Sequence, residues 1–434
     1  MPADSRRHFF LEGIMTKIGH VEARTLAETY GTPLFAYDEE VLRQKMQEYR
    51  DHFQSDSLKT GVVYASKAFC CMAMIRLIRE YDMYLDVVSG GELYTALKAG
   101  FEPERIFFHG NNKTPQELRM ALENKVGTIV VDNESEARLL AEMVSEYGSN
   151  VHVLLRVNPG IEAHTHKYIV TAHVDSKFGI AMMNEEEVVR VINILRNCEG
   201  IVFDGLHVHI GSQIFAKEAF TSTVEKLFAF AGHLYDAYGI PVRTADLGGG
   251  FAARYTDKDA PIPTAEVCET ILAACTEANS RLSCPVERVL IEPGRSIVAE
   301  AGYTLYTIGA LKQTPNKLYA FVDGGMSDNI RPALYQAEYD AVIDGREEEP
   351  AAANYTIAGK CCESGDILIE SIALPKAQPG DLLVMKTTGA YGYSMASHYN
   401  RMLMPAVVFA QDGTSRTVIR RETYDDLIAL EVTL

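Results

Sequence analysis

Lys67 follows the run Val62-Val63-Tyr64-Ala65-Ser66 and precedes Ala68 and Phe69, so its amine stands at the edge of apolar surface. Held partly out of water, a lysine amine is less readily charged, and a neutral amine is a nucleophile. A lysine that only snorkels from a strand end is the other reading. Gly248-Gly249-Gly250 presents consecutive backbone N–H groups with no side chain in the way, which suits a phosphate or a tight turn. Glu292-Pro293-Gly294-Arg295 sets an acid and a base three residues apart, either converging on a ligand or paired with each other. His207 and His209 fall on one face of an alternating run, and each is a ligand contact or a satisfied core histidine. Further along, Cys361-Cys362-Glu363-Ser364-Gly365-Asp366 sets two thiols beside two acids, where inert buried thiols are the ordinary case. Gly389-Ala390-Tyr391-Gly392-Tyr393 reads as a glycine-flanked turn with aromatics.

These residues need elements to position them. Eight β-rich runs, VVYAS, YLDVVS, IFFHG, TIVVD, HVLLRVN, GLHVHIGS, TADLGGG and VLIEPG, alternate with helical patterns between Val62 and Arg295. Thr114-Pro115-Gln116-Glu117 combines an N-cap, a first-turn proline and a capping-box glutamate, and the stretch from Asn184 to Glu187 repeats most of it. Parallel strands joined by helices close most economically into a (β/α)8 barrel of the TIM type, with a doubly wound open sheet as the alternative. A barrel draws its reacting groups from the strand C-terminal ends. Those ends carry Lys67, Asp86 with Ser89, His109 with Asn111, Asp132, Asn158, His209 with Ser212, the glycine triplet, and Glu292 with Arg295. After Gly302 the runs YTLYTIGAL, KLYAFVDGG, NYTIAG, DILIESIAL, DLLVMKT and AVVFAQ have no long helices between them and predict a separate, C-terminal all-β domain. A short helix is expected over 423–430. The expected division is a barrel over 37–308 and a β-barrel or sandwich from 1–36 together with 309–434.

With 434 residues, 47% of them apolar, the chain has material for a large barrel and a smaller partner domain. Its 41 basic residues face 59 acidic ones, and a net charge of -18 is the wrong sign for nucleic acid or an anionic membrane. Residues 1–10 carry two arginines and little apolar character, and no stretch reaches the length of a membrane span, so a cytoplasmic setting is expected. The eight cysteines form no CxxC pair, which argues for reduced thiols and against structural zinc. The segment GREEE over 345–349 reads as a solvated loop.

Taken in order, YASKA (64–68), DVVSGGEL (86–93), HVHIGSQ (207–213), DLGGGF (246–251), EPGR (292–295), RPALY (331–335), CESGD (362–366) and GAYGYSMAS (389–397) resemble the fold-type III pyridoxal-phosphate-dependent decarboxylases over nearly the whole chain. The resemblance implies an alanine-racemase-like fold and a homodimer with shared active sites, and no metal is expected. It implies that Lys67 attaches pyridoxal 5'-phosphate covalently and that His209 stacks on the ring. Glu292 binds the pyridine nitrogen on this view, while Gly248, Gly249, Gly250, Gly294 and Arg295 hold the phosphate end. Asp86, Ser212 and Tyr391 complete the cofactor set. Arg295, Arg331, Tyr335, Glu363 and Tyr391 form the implied substrate set. Cys362 is the implied acid that returns a proton to Cα, since an unperturbed thiol with a pKa of about 8.5 is mainly protonated at neutral pH. Cys361 is adjacent, but backbone alternation turns it away. The implied reaction is decarboxylation of meso-2,6-diaminopimelate at its D-centre to L-lysine.

Alternatives are a sister decarboxylase acting on arginine, ornithine or carboxynorspermidine, an amino-acid racemase, and a catalytically dead regulator or cofactor carrier. Glu292 in place of an arginine disfavours the racemase, and the presence of Lys67 with Cys362 disfavours the dead homologue. Arg331 and Glu363 suit a substrate whose far end is itself an amino acid.

Overall fold

The computed structural model describes residues 15–160 and 176–432; the arginines near the start of the chain lie outside that range. Eight strands form the barrel: β1 (Lys59–Ala65), β2 (Tyr84–Val87), β3 (Ile106–Phe108), β4 (Thr128–Val131), β5 (Val151–Asn158), β6 (Ile201–His207), β7 (Thr244–Asp246) and β8 (Arg288–Ile291). Each pairs in parallel with the next, and β8 pairs with β1, so the sheet closes on itself and the open-sheet alternative falls. A closed barrel has no edge strand to leave hydrogen bonds unmade. Inside it, Val63, Phe107, Val130, Leu154 and Leu290 pack as one buried cluster with Tyr84 against them.

A helix crosses from each strand to the next, and local chemistry sets where several of them begin and end. Thr114 and Glu117 form the expected capping box on the helix Pro115–Glu123, while Ser89 and Asn133 cap Gly90–Ala99 and Glu134–Tyr147 through their side chains. Gly100, Gly148 and Gly239 end their helices in the left-handed conformation that glycine tolerates. The helix Glu185–Arg196 starts where expected, but Asn184 does not cap it through its side chain; its amide reaches Glu187 instead. Because all eight strands run the same way, their polar ends gather at one end of the barrel.

The chain divides into two compact units. The barrel unit holds Glu40–Ala301 together with Gly389–Ser394, a loop pinned to it by the Gly389 N–H on the Ala299 carbonyl (3.1 Å) and the Tyr391 N–H on the Ala68 carbonyl (2.8 Å). The other unit is mainly antiparallel β. Its longest strand, Gly302–Gln313, starts before the expected boundary at 308 and pairs with Leu34–Asp38, Leu318–Val322 and Leu382–Met385. The N-terminal segment therefore joins the β unit, through Leu34–Asp38, which also pairs in parallel with Ala406–Gln411. Ile18, Leu26, Leu34, Leu305, Val384 and Val408 are among its buried core residues. The strands Ala341–Ile343 and Thr414–Ile419 add to the expected set, and the expected short helix spans Tyr424–Ile428.

Candidate active site

Lys67 lies in a single turn, Ser66–Ala68, at the end of β1, with Ser66 and Ala68 buried and Lys67 exposed. The partly dry setting expected for its amine is not met: both neighbours turn inward and send this side chain out to the open end. The Lys67 charge still acts on Asp86, Glu92 and His209.

Below it, four strand ends converge on Glu292. His109 Nε2 lies 2.9 Å from Glu292 Oε1, close as an ion pair though not aligned as a hydrogen bond, and His207 Nε2 bonds Glu292 Oε2 at 3.1 Å. Burial by itself would push the Glu292 carboxyl up, but His109 and His207 outweigh it and hold it well below the usual range. Burial lowers His109 too, yet Asp86 and Glu292 prevail and raise it, whereas burial takes His207 down to about 4. Burial and then the Glu292 charge hold Asp246 well above the carboxylate range. Of the three buried carboxyls here, Glu292 is thus held low while Asp86 and Asp246 are pushed up by burial. His109, His207, Asp246 and Glu292 offer nitrogen and oxygen atoms all within 4.8 Å of one another, a donor set of the kind that holds a divalent ion, although the sequence reading expects none.

The glycine triplet packs more tightly than a bare turn requires. A Cβ on Gly248 would come within 2.3 Å of the Val208 carbonyl, and one on Gly249 within 2.1 Å of the Glu292 carbonyl. The Gly248 N–H donates to Asp246 Oδ1 (3.0 Å) and the Gly249 N–H to His209 Nδ1 (3.1 Å). Those two amides are engaged within the barrel, so Gly250, at φ +106°, is the one whose N–H takes no such partner among the described residues. His209 is half-buried and, through burial and the Lys67 charge, held well below the usual histidine range.

Glu292 and Arg295 do not pair. Gly294 turns the chain against Ala65, and Arg295 is buried with its guanidinium donating to Ser212 Oγ (3.2 and 2.9 Å) and to the Tyr255 hydroxyl (2.5 Å). Tyr391 lies across it, ring centroid 4.8 Å away, with its own backbone at a positive φ of 59°. No carboxylate among the described residues pairs with this buried cation, so its guanidinium could take an anion from outside the chain. Other polar strand ends fix loops: Ser89 caps a helix, Asp132 accepts the Gly179 N–H (3.0 Å) and Asn158 accepts the Gly160 N–H (3.0 Å).

On the β unit, Cys361 is buried and Cys362 exposed, the opposition that alternation requires. The Cys362 N–H donates to Asn400 Oδ1 (2.6 Å), and Asp366 accepts the N–H groups of Met326 (2.7 Å) and Cys361 (2.8 Å), fixing the loop. Glu363 is exposed; Arg331 is buried against the Tyr339 hydroxyl, and Tyr335 is half-buried.

Residues 39–299 match the family described as "Pyridoxal-dependent decarboxylase, pyridoxal binding domain". The chain is 50% identical over 417 residues to a protein of Bacillus subtilis (strain 168) named "Diaminopimelate decarboxylase", covering 96% of this chain and 95% of that one. It belongs to the diaminopimelate decarboxylase family. A namesake from Staphylococcus aureus (strain COL) is 46% identical over 412 residues, 94% of this chain and 95% of the relative. The solved diaminopimelate decarboxylase of M. jannaschii, in co-complex with L-lysine, superposes with a TM-score of 0.87 at 32% identity over 95% of each chain.

Two charged residues of the barrel, Arg156 and Lys113, were not singled out in the sequence. Arg156, on β5, is lowered by burial against the charges of Asp132, Glu292, Asp86 and Asp246. Lys113 is buried and bonds Glu136 Oε1 (2.7 Å) and the carbonyls of Gly110 (2.9 Å) and Val130 (2.7 Å), tying the turn after β3 to β4 and to the helix Glu134–Tyr147. A charged residue inside an apolar strand, as in HVLLRVN, was the available signal for Arg156.

Proposed function

We propose that the chain is a pyridoxal-phosphate-dependent carboxy-lyase that removes carbon dioxide from meso-2,6-diaminopimelate at its D-centre and releases L-lysine, the closing step of lysine biosynthesis. The observation that carries this reading is a buried Glu292 carboxylate held ionised below an exposed Lys67, in a chain sharing half its residues with a relative of that name. Three features support the cofactor: a lysine amine open to a carbonyl group, an ionised carboxylate for a ring nitrogen, and, for a phosphate or carboxylate, an open Gly250 amide and a buried arginine. We assign Lys67, Asp86, His209, Ser212, Gly250, Glu292, Gly294, Arg295 and Tyr391 to hold it. Gly248 and Gly249 serve by shaping the loop.

Bound there, pyridoxal phosphate supplies an electron sink for the pair released when the bond from Cα to the carboxyl group breaks. Glu292 keeps a proton on the ring nitrogen, which strengthens that sink. Arg295, with Tyr391 across its face, holds an anionic group by its fork of N–H donors. Cys362 donates a proton from Sγ to Cα, and Glu363 pairs with the distal ammonium while Arg331 and Tyr335 read the distal carboxylate. We assign Cys362 and Glu363 to the site of a second copy of the chain, because both are exposed on the β unit and two copies related by a twofold would complete two equivalent sites. We assign the enzyme to the cytoplasm, in keeping with eight free cysteines.

The test is a substrate panel. Protein supplied with cofactor is given the separate diaminopimelate isomers, lysine, ornithine and arginine, and products are identified. Lysine from the meso isomer alone is expected; putrescine, cadaverine or agmatine without lysine formation would move the chain to a sister decarboxylase.

A further inference from the structure

The carboxylate at the centre of the barrel is held from two sides by residues that the reaction itself does not call upon. His109 comes from the end of β3 and His207 from the end of β6, and each meets a different oxygen of Glu292, at 2.9 Å and 3.1 Å. Their rings lie 4.8 Å apart at 72°, edge to face, so each limits the other's rotation. All three residues are buried, His207 to 1%, His109 to 4% and Glu292 to 6% exposure. His207 Nδ1 makes no hydrogen bond among the described residues, which fits a neutral ring that carries its one proton on Nε2 and gives it to Glu292. The charged and titratable groups facing this trio are Asp86 from β2, Arg156 from β5, Asp246 from β7, and Lys67 and His209 at the open end.

We propose that His109 and His207 are positioning residues that clamp the Glu292 carboxylate, one imidazole to each oxygen, and so keep it fixed and ionised for the ring nitrogen of the cofactor. A buried glutamate without partners takes up a proton, because burial disfavours the charged form. A protonated Glu292 would be a donor rather than an acceptor, and the ring nitrogen facing it would lose its proton. The two imidazoles divide the work: His207 brings an aligned N–H to Oε2, and His109 closes on Oε1 from the other side at 2.9 Å. The inference rests on the assignment of Glu292 to the ring nitrogen.

The readout is the 15N chemical shift of bound pyridoxal phosphate labelled at its ring nitrogen, which reports protonation there whether or not turnover occurs. Wild-type protein should give the protonated value and Glu292→Gln the neutral one. His109→Gln and His207→Phe should both move toward neutral, with His207→Gln, which keeps an N–H, recovering most of what His207→Phe loses. Turnover should fall roughly ten- to hundredfold in His109→Gln, as when a buried group that orients a reacting one is removed, while KM changes by less than about threefold. His109→Asn reads the same shift if His109→Gln does not fold. Should the histidine variants keep a protonated nitrogen while Glu292→Gln loses it, the clamp is wrong and the role of Glu292 stands. If Glu292→Gln also keeps the proton, the assignment of Glu292 falls and the clamp falls with it.

Discussion

In the proposed reaction Glu292 is the carboxylate that meets the cofactor ring, and its neighbours hold it low. Replacing it with glutamine keeps the shape and removes the charge, so Glu292→Gln should retain cofactor yet decarboxylate about a hundred- to a thousandfold more slowly in single-turnover lysine formation; an unchanged rate would remove Glu292 from the reaction. His207 gives a pH signature of its own. Folded, it titrates at about 4 rather than at its usual 6.5, so between those values the unfolded chain holds more protons. Its contribution to stability is whole above the upper value and is lost as pH falls toward the lower one. The melting temperature of wild-type protein should therefore drop more between pH 7 and pH 5 than that of His207→Gln, and equal drops would mean that His207 carries no such shift. Lys67 and Glu292 stand out in the sequence as charges closing apolar runs, and Arg295 by its spacing three residues beyond Glu292, while the roles proposed for them rest on the family resemblance. The meeting of His109 with His207 was not legible there, since it depends on two strands far apart in the chain reaching one point.

The strand ends position these groups through close backbone approach, and the glycines there differ in kind from those that end helices. Gly249→Ala would drive a Cβ to 2.1 Å from the Glu292 carbonyl, whereas Gly148, at φ +59°, has nothing within 4 Å. Gly148→Ala should cost only about 1 kcal/mol from its backbone conformation. Gly249→Ala should cost several times that or prevent folding, because no flexible side chain can give way. Thermal melts of both check the contrast, and similar losses would contradict it. Glycine in DLGGGF was legible as a site for backbone approach, but which amide stays open was not. That depended on Asp246 and His209 occupying the N–H groups of Gly248 and Gly249. The eight barrel strands and the capping box at Thr114 followed from short-range patterns of apolar spacing and turn chemistry. The strand Ala341–Ile343 was missed because, unlike the equally short barrel strands Ile106–Phe108 and Thr244–Asp246, it has no strand–helix alternation around it to mark its place.

At the scale of the molecule, the sequence divides into a barrel and a β domain. The return of Gly389–Ser394 to the barrel unit could not be read from it, since those residues lie far along the chain from Ala68 and Ala299, which hold them. A homodimer with composite sites makes a quantitative prediction. Lys67→Ala and Cys362→Ala homodimers should each be nearly inactive; after mixing and subunit exchange about half the dimers are hybrids with one intact site in two, so about a quarter of wild-type activity should return. Exchange confirmed by mass with no activity regained would put Cys362 within its own chain's site or outside the reaction. The reading of the barrel mouth itself is tested most directly by trapping. Protein loaded with pyridoxal phosphate should be yellow, and borohydride reduction followed by peptide mapping should find one pyridoxyl group, on Lys67; a group on any other lysine, or none, would contradict it.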